Sequence, residues 1–367
     1  MSLNKQAEEL NNLLKACNNT VFSLLSKKGK EAYFPKEGIV VQSAQAKGKK
    51  INATIGVAVE DDGSPMNLSS ISSKLLIDPK DVFLYAPSQG KKELRDEWLT
   101  QMQKKNPSLK TTVSTPIVTN ALTHGASIVG YLFLDESDTI ISPDKYWGNY
   151  KLIFTNGYGA NIETFNTFSN NGFDINSMKA KLMGGGKKVL ILNFPNNPSG
   201  YSPTKKEAVE ITNAIKEAAE SGSKIAVIVD DAYFGLFYED ETEKESLFSK
   251  LANLHENVLA IKLDGPTKEH YAWGLRVGFI TYGFKGATKE AYSALEDKTS
   301  GAVRGTISNA SNLSQSLVLL ALKSPTLDNE KVQKFNLLKE RYLETKKVAN
   351  NKLCAGVFEV LPFNSGY

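Results

Sequence analysis

The residues able to do chemistry in this chain gather where apolar, β-rich runs give way to polar ones. Ile191-Leu192 leads into Asn193-Phe194-Pro195-Asn196-Asn197-Pro198-Ser199-Gly200, and Ala226–Val229 into Asp230-Asp231-Ala232-Tyr233. Ala260-Ile261 is followed by Asp264-Gly265-Pro266-Thr267-Lys268, and Ile117-Val118 by Thr119-Asn120-Ala121-Leu122-Thr123. In an open parallel sheet, ligands collect outside the carboxyl ends of the strands, so these junctions are where a site is expected. Together they supply an amide, a carboxylate, a phenol, a lysine and a turn that could take a phosphate. A lysine amine can act as nucleophile or base, and a carboxylate or phenol can hold a proton.

The elements that must position these residues follow from periodicity. From about Val113 onward, short β-rich runs alternate with helical ones, and Thr139–Ser142, Lys151–Thr155, Lys187–Asn193, Lys224–Asp230, Val258–Leu263 and Val277–Tyr282 read as strands. That alternation predicts βαβ units and a largely parallel sheet. After Pro203, Thr204 stands three residues before Glu207, a capping box, and Val209, Ile211, Ala214 and Ile215 supply the apolar face of the helix it opens. Near the N-terminus, Leu10, Leu13, Leu14, Cys17, Val21, Leu24 and Leu25 have the spacing of an amphipathic helix. After Asn312 the character turns helical, with a charged helix from about Leu327 to Asn350 and a short strand-like run at Val357–Leu361. A domain boundary is expected near Asn312.

Beyond the four junctions, Lys268 is followed by Gly274, Arg276 and Gly278, and Asp230 by Tyr233. Trp147-Gly148-Asn149-Tyr150 precedes them, as does Tyr85-Ala86-Pro87 leading to Gly90 and Leu94-Arg95; Arg304 follows, with Ser308-Asn309. In this order and spacing, together with the Asn197-Pro198-Ser199-Gly200 turn, the chain resembles the aminotransferases of pyridoxal-phosphate fold type I, in the branch that contains aspartate aminotransferase. The resemblance runs from about Ile55 to Asn309 and implies an α/β fold: a mostly parallel seven-stranded sheet flanked by helices, with a smaller α+β domain. Residues 1–55 would form an N-terminal helix and part of the small domain, 56–312 the large cofactor-binding domain, and 313–367 the rest of the small domain. The chain stops at Asn364-Ser365-Gly366-Tyr367, where relatives go on to supply an arginine for the substrate α-carboxylate, so the small domain is expected to be truncated at its C-terminus.

The resemblance also implies roles. Lys268 would hold the aldehyde cofactor pyridoxal 5'-phosphate, since a desolvated lysine beside other cations becomes a competent amine. Freed by substrate, the same amine would move the proton from the substrate α-carbon. Asp230 would sit against the pyridine nitrogen and keep it protonated. Tyr233 and Asn197 would hydrogen-bond the ring oxygen, and Trp147 would stack on the ring. The phosphate would lie at the N-terminus of the helix beginning near Leu122, where free N–H groups and the helix dipole favour an anion. Ala121, Leu122, Thr123, Thr267 and Arg276 would complete that site, with Tyr85 reaching in from a second subunit. Gly56, Asn197 and Arg304 would contact substrate, Arg304 forking onto a side-chain carboxylate. Thr267 replaces the usual Ser and keeps its hydroxyl; Ala121 replaces a common Gly, and a slight backbone shift is expected there. The implied activity is transfer of an amino group between an L-amino acid and a 2-oxo acid, with aspartate, glutamate, 2-oxoglutarate or aromatic amino acids as substrates, in a homodimer with shared sites. A carbon–sulfur β-lyase would use the same lysine, aspartate and tyrosine, and a non-catalytic cofactor-binding domain is the third reading.

Taken one at a time, these residues have ordinary readings: Lys268 as a surface lysine, Asp230 as a helix cap, Asn197-Pro198-Ser199-Gly200 as a turn, Trp147 as a core aromatic. Gly184-Gly185-Gly186-Lys187-Lys188 is not a phosphate loop, because no Ser or Thr follows the lysine. His124, His255 and His270 are scattered, so no metal site is expected. Among 367 residues, 44 Lys and Arg against 40 Asp and Glu leave a charge of +4, too mild for a nucleic-acid groove or a membrane-surface patch. Runs such as Tyr131–Leu134 and Val189–Leu192 fall far short of the ~20 residues that span a bilayer. The opening Met1-Ser2-Leu3-Asn4-Lys5 is unlike a signal peptide, and Cys17 and Cys354 form no CxxC pair, so a reducing, cytoplasmic location is expected.

Overall fold

The structure, a computed structural model, describes residues 3–17, 25, 30, 42, 45–46, 48–49, 54, 58–64, 66–73, 77–350 and 359–367. Its centre is a seven-stranded sheet made of β1 (Ile117–Thr119), β2 (Thr139–Pro143), β3 (Asn161–Phe165), β6 (Gly186–Asn193), β7 (Ser223–Asp230), β8 (Val258–Asp264) and β9 (Gly278–Phe284), while β4 (Phe168–Ser169) and β5 (Gly172–Phe173) form a small hairpin. The spatial order is β1-β9-β8-β7-β6-β2-β3, and β9 alone runs antiparallel to its neighbours. The helices of eight or more residues are α1 (Lys5–Cys17), α2 (Lys92–Lys105), α3 (Ala121–Phe133), α4 (Ile175–Leu182), α5 (Lys205–Glu220), α6 (Lys289–Thr306), α7 (Asn312–Leu322) and α8 (Leu327–Ala349).

The central strands are near-continuous apolar runs because both of their faces are covered. Leu190, Leu192, Val227, Val229 and Ala260 point to one face and pack with Ala208, Ile211, Ile215 and Ala218 of α5. Val189, Ile191, Ile228, Ile261 and Leu263 point to the other and pack with Ile128 and Val129 of α3 and Val303 of α6. A third cluster, with Leu94 and Trp98 of α2, Phe279 of β9, Val318 of α7 and Leu338 and Tyr342 of α8, ties the later helices to the sheet edge. The Thr204–Glu207 capping box forms at the start of α5. Val209, however, is 51% exposed, so Ala208 rather than Val209 opens the buried face.

One expected strand is not a strand. Lys151–Asn156 is a π-helix, and the outer position in the sheet is taken by Asn161–Phe165. Tyr150 and Phe154, four residues apart, are both buried, a helical spacing that a five-residue apolar run does not separate from a strand. β3 was hidden for the opposite reason: it is an edge strand with two exposed polar positions, Glu163 and Thr164. In the strand-like run near the C-terminus, residues 359–361 are irregular, and 357 and 358 lie outside the described residues. The expected N-terminal helix is present over Lys5–Cys17; Val21 and Leu24 lie outside them too. No helix among the described residues is long and apolar enough to cross a membrane.

Candidate active site

Parallel register brings three of the four junctions side by side. Asn193 at the end of β6 lies opposite Asp230 at the end of β7, and Asp230 lies opposite Leu263, next to the end of β8. The amide of Asn193 donates to the Asp230 carbonyl at 2.8 Å, while its own oxygen accepts the Asn197 N–H at 2.7 Å. Asn193 thereby pins the Asn197 turn to the strand that carries Asp230. The Asp230 carboxylate is buried; Tyr150 donates its hydroxyl to Oδ2 at 2.5 Å and the Ala232 N–H donates to Oδ1 at 3.0 Å. Burial pushes this carboxyl above its ordinary value, and Tyr150 and the Lys268 ammonium pull it back.

Lys268 sits in the short turn Pro266–Glu269 that follows β8. Its Nζ lies 4.7 Å from the centroid of the Tyr233 ring. Among the described residues, no carboxylate is within ion-pair distance of it. Burial lowers its affinity for a proton, Asp230 opposes that drop and the Arg276 guanidinium adds to it. Tyr233 is pushed up to about 12 by burial, with Asp230 adding to the rise. Its ring meets that of Tyr367 at 5.5 Å, and the Tyr367 hydroxyl accepts from Trp273 Nε1 at 2.8 Å. Asn197, Pro198, Tyr233 and Tyr367 line a cleft of about 270 Å³.

The fourth junction closes one end of this site. The start of α3 is pressed against β9: a Cβ on Gly278 would lie 2.6 Å from the carbonyl carbon of Ala121 and 2.9 Å from the Leu122 nitrogen, so only glycine allows this approach. Ala121 itself has φ +62°, the left-handed region that glycine enters freely and that costs another residue about 1–2 kcal/mol. The alanine therefore adopts the glycine conformation. Arg276 also has a left-handed φ, +53°, and is exposed. The Thr267 hydroxyl is buried and has no hydrogen-bond partner among the described residues. An unsatisfied buried hydroxyl two residues past Gly265, where a Cβ would lie 3.1 Å from Leu122 in the first turn of a thirteen-residue helix, is suited to an anionic group such as a phosphate. A buried carboxylate at the other end, Asp230, with no contacting cation among the described residues, is suited to a cationic one.

Trp147 is half-buried and packs edge-on against Tyr150, with ring centroids 5.6 Å apart. Tyr85 and Arg304 are not drawn into the cleft. Tyr85 is 92% exposed, beside exposed Phe83 and Leu84. Exposed Arg304 donates to Ser308 Oγ at 2.8 Å, and Ser88 Oγ donates to the Ser308 carbonyl at 2.8 Å, so these two segments share one surface. Gly56 lies outside the described residues. Two contributors were not singled out by the sequence reading: Tyr150, which holds the Asp230 carboxylate, and Asn193, which holds both the strand end and the turn. Tyr150 lies in the quoted Trp147–Tyr150 motif, and its spacing from Trp147 was the available signal.

The sequence pattern of the family described as "Aminotransferase class I and II" matches residues 55–367. The aspartate aminotransferase of Bacillus sp. (strain YM-2) is 24% identical over 302 residues, 81% of this chain and 71% of that protein. The aspartate aminotransferase of Bacillus subtilis (strain 168) is 26% identical over 199 residues, 53% of this chain; the match spans about half, 47%, of that relative's length. Among solved structures, an aminotransferase from Anaerococcus prevotii is 25% identical with a TM-score of 0.79, covering 94% of this chain and 86% of its own.

Proposed function

Because the chain belongs to the class I and II aminotransferases, we propose that it transfers an amino group between an L-amino acid and a 2-oxo acid, using pyridoxal 5'-phosphate held on Lys268. The observation that carries this reading is the half-buried Lys268, over the Tyr233 ring and near the buried Asp230, with no contacting carboxylate among the described residues. When bound, the cofactor supplies an aldehyde that captures amines and a protonated pyridine that draws electrons from the carbon next to nitrogen.

The chain's own residues divide the remaining work. Lys268, whose affinity for a proton burial lowers, is the nucleophile, and its Nζ then takes the proton from the substrate α-carbon and returns it as an acid. Asp230 holds a proton on the pyridine nitrogen, and Tyr150 fixes that carboxylate in place. Tyr233 and Asn197 would bond the ring oxygen, and Trp147 would cover the ring. Thr267, Arg276 and the N–H groups of Ala121, Leu122 and Thr123 would take the phosphate. We place the large domain at 56–312 and the small one at 1–55 with 313–367.

Arg304 is the substrate-selecting residue in this reading, for aspartate, glutamate and 2-oxoglutarate, acting with Tyr85 across a homodimer boundary. The shared, exposed surface of Phe83–Tyr85 and Arg304–Ser308 supports that arrangement. Borohydride reduction of the yellow, cofactor-loaded protein should fix the cofactor to the peptide containing Lys268; label on another lysine overturns the assignment. Arg304→Leu should lose far more activity on aspartate than on phenylalanine, and equal losses would remove Arg304 from recognition.

A further inference from the structure

Behind the lysine turn lies a second set of charges that the proposed chemistry does not use. Lys268 lies over the ring of Tyr233, which lines the cleft, and the next side chain, Glu269, is buried, 6% exposed. Its carboxylate is gripped from two sides. Lys105 of α2 reaches it at 2.8 and 3.0 Å, and Lys331 of α8 reaches it at 2.7 Å. His270 Nε2 stands 3.8 Å away, and the Glu269 side chain packs 3.5 Å from where a Cβ on Gly235 would be, two residues past Tyr233. Burial alone would push this carboxyl up; Lys105 and Lys331 overcome that and hold it well below the ordinary carboxylate range. The anion between the two lysines offsets their repulsion: Lys331 disfavours the charge of Lys105, and Glu269 favours it.

We propose that Glu269 is a positioning residue for Lys268: a two-sided ionic clamp that fixes the lysine turn to α2 and α8 at once and so sets where the amine lies. The geometry supports this because the helical turn Pro266–Glu269 is only four residues long, and the Lys268 side chain makes no hydrogen bond or ion pair among the described residues. Lys105 is itself held, over Trp98 at 4.9 Å and Phe234 at 5.4 Å. The clamp also ties the turn to α8, which belongs to the proposed small domain, so a shift of that helix is felt one residue from the reactive amine.

This inference rests on the proposed function only for which reaction is slowed, and the test separates the two. Glu269→Gln, Lys331→Met and the double variant are compared with the parent. In cofactor-free protein, acylation of Lys268 by an amine-reactive ester is followed against pH by peptide mapping. With the amine no longer held in its desolvated place, the midpoint should rise by about one pH unit in each variant. In loaded protein, kcat should fall about tenfold with KM within about twofold. The double variant should be no worse than the poorer single one, as for residues acting as one unit. An unchanged midpoint and kcat in Glu269→Gln overturn the proposal; should that variant not fold, the same result in Lys331→Met, whose lysine is partly exposed, overturns it. A parent that fails to fix cofactor at Lys268 would instead sink the proposed function, leaving the acylation midpoint as the measure of the clamp.

Discussion

Two lysines six residues apart, Lys262 in β8 and Lys268 in the helical turn that follows, are buried and half-buried and differ in the direction their proton affinity is moved. Lys262 is 1% exposed, hydrogen-bonded to Asp231 and 3.3 Å from Asp264, whose other oxygen accepts from Trp98 Nε1 at 3.0 Å. Burial disfavours its charge, but the two carboxylates overcome that and raise its affinity for a proton above that of a free lysine. At Lys268 burial wins, because Asp230 acts from a distance and Arg276 acts against the charge. Burial acts on both, so it does not by itself set an amine's proton affinity. Contacting carboxylates raise it at Lys262, and among the described residues none contacts Lys268.

The sharpest way to break the comparison is to remove each amine in turn. Lys268→Ala should cost turnover at least about a thousandfold, some 4 kcal/mol, and abolish covalent cofactor capture while leaving the fold intact. Near-normal turnover or capture in that variant would end the assignment. Lys262→Met should do the reverse. It leaves Asp231 and Asp264 buried without their cation, a loss of about 3–5 kcal/mol in urea unfolding, while folded protein still captures cofactor on Lys268. A stability equal to the parent's would show that the Lys262 pair contributes nothing net.

A smaller effect is expected at Thr267, where the question is whether the orphan hydroxyl waits for a ligand. Thr267→Val should weaken binding of pyridoxal phosphate by about 1.5–3 kcal/mol, the worth of a hydrogen bond to a charged group, measured by titration of the cofactor-free protein. The unloaded variant should be no less stable than the parent, since an unsatisfied buried group is removed. Unchanged affinity would place the phosphate elsewhere.

His270 extends the comparison to a third buried base. Burial holds it down to about 3, and Glu269, at 3.8 Å, is too far to bond it. Its folded value lies below its unfolded value of 6.5, so between pH 6.5 and about 3 the unfolded chain binds the extra proton. Stability is then lost as pH falls through that window, by at most about 1.4 kcal/mol per pH unit. His270→Phe should flatten that slope; an identical slope in parent and variant would mean that other groups carry it.

Much of this was legible in the chain. The strands β6, β7 and β8 announce themselves because a strand buried on both faces is a near-continuous apolar run, and the capping box at Thr204 and Glu207 is a local bond between residues three apart. The π-helix at Lys151–Asn156 and the edge strand Asn161–Phe165 were not legible, since a short apolar run fits either period and an edge strand carries polar residues. Of the site, Lys268, Asp230, Tyr233 and Asn197 stand at strand ends, where the fold class says to look.

The sequence by itself determined the central strands, the polar junctions at their ends and the spacing of Lys268 with Gly274, Arg276 and Gly278, because each depends on residues close together in the chain. Only the tertiary structure decided which of the two lysines is ion-paired. Lys262 and Lys268 have similar surroundings in sequence, with aspartates near both. The pairing of Asp231 with Lys262 follows from β7 lying beside β8, and the grip of Lys105 and Lys331 on Glu269 from helices 164 and 62 residues away. A proton's affinity for an amine depends on charges within a few ångströms, whatever their distance along the chain.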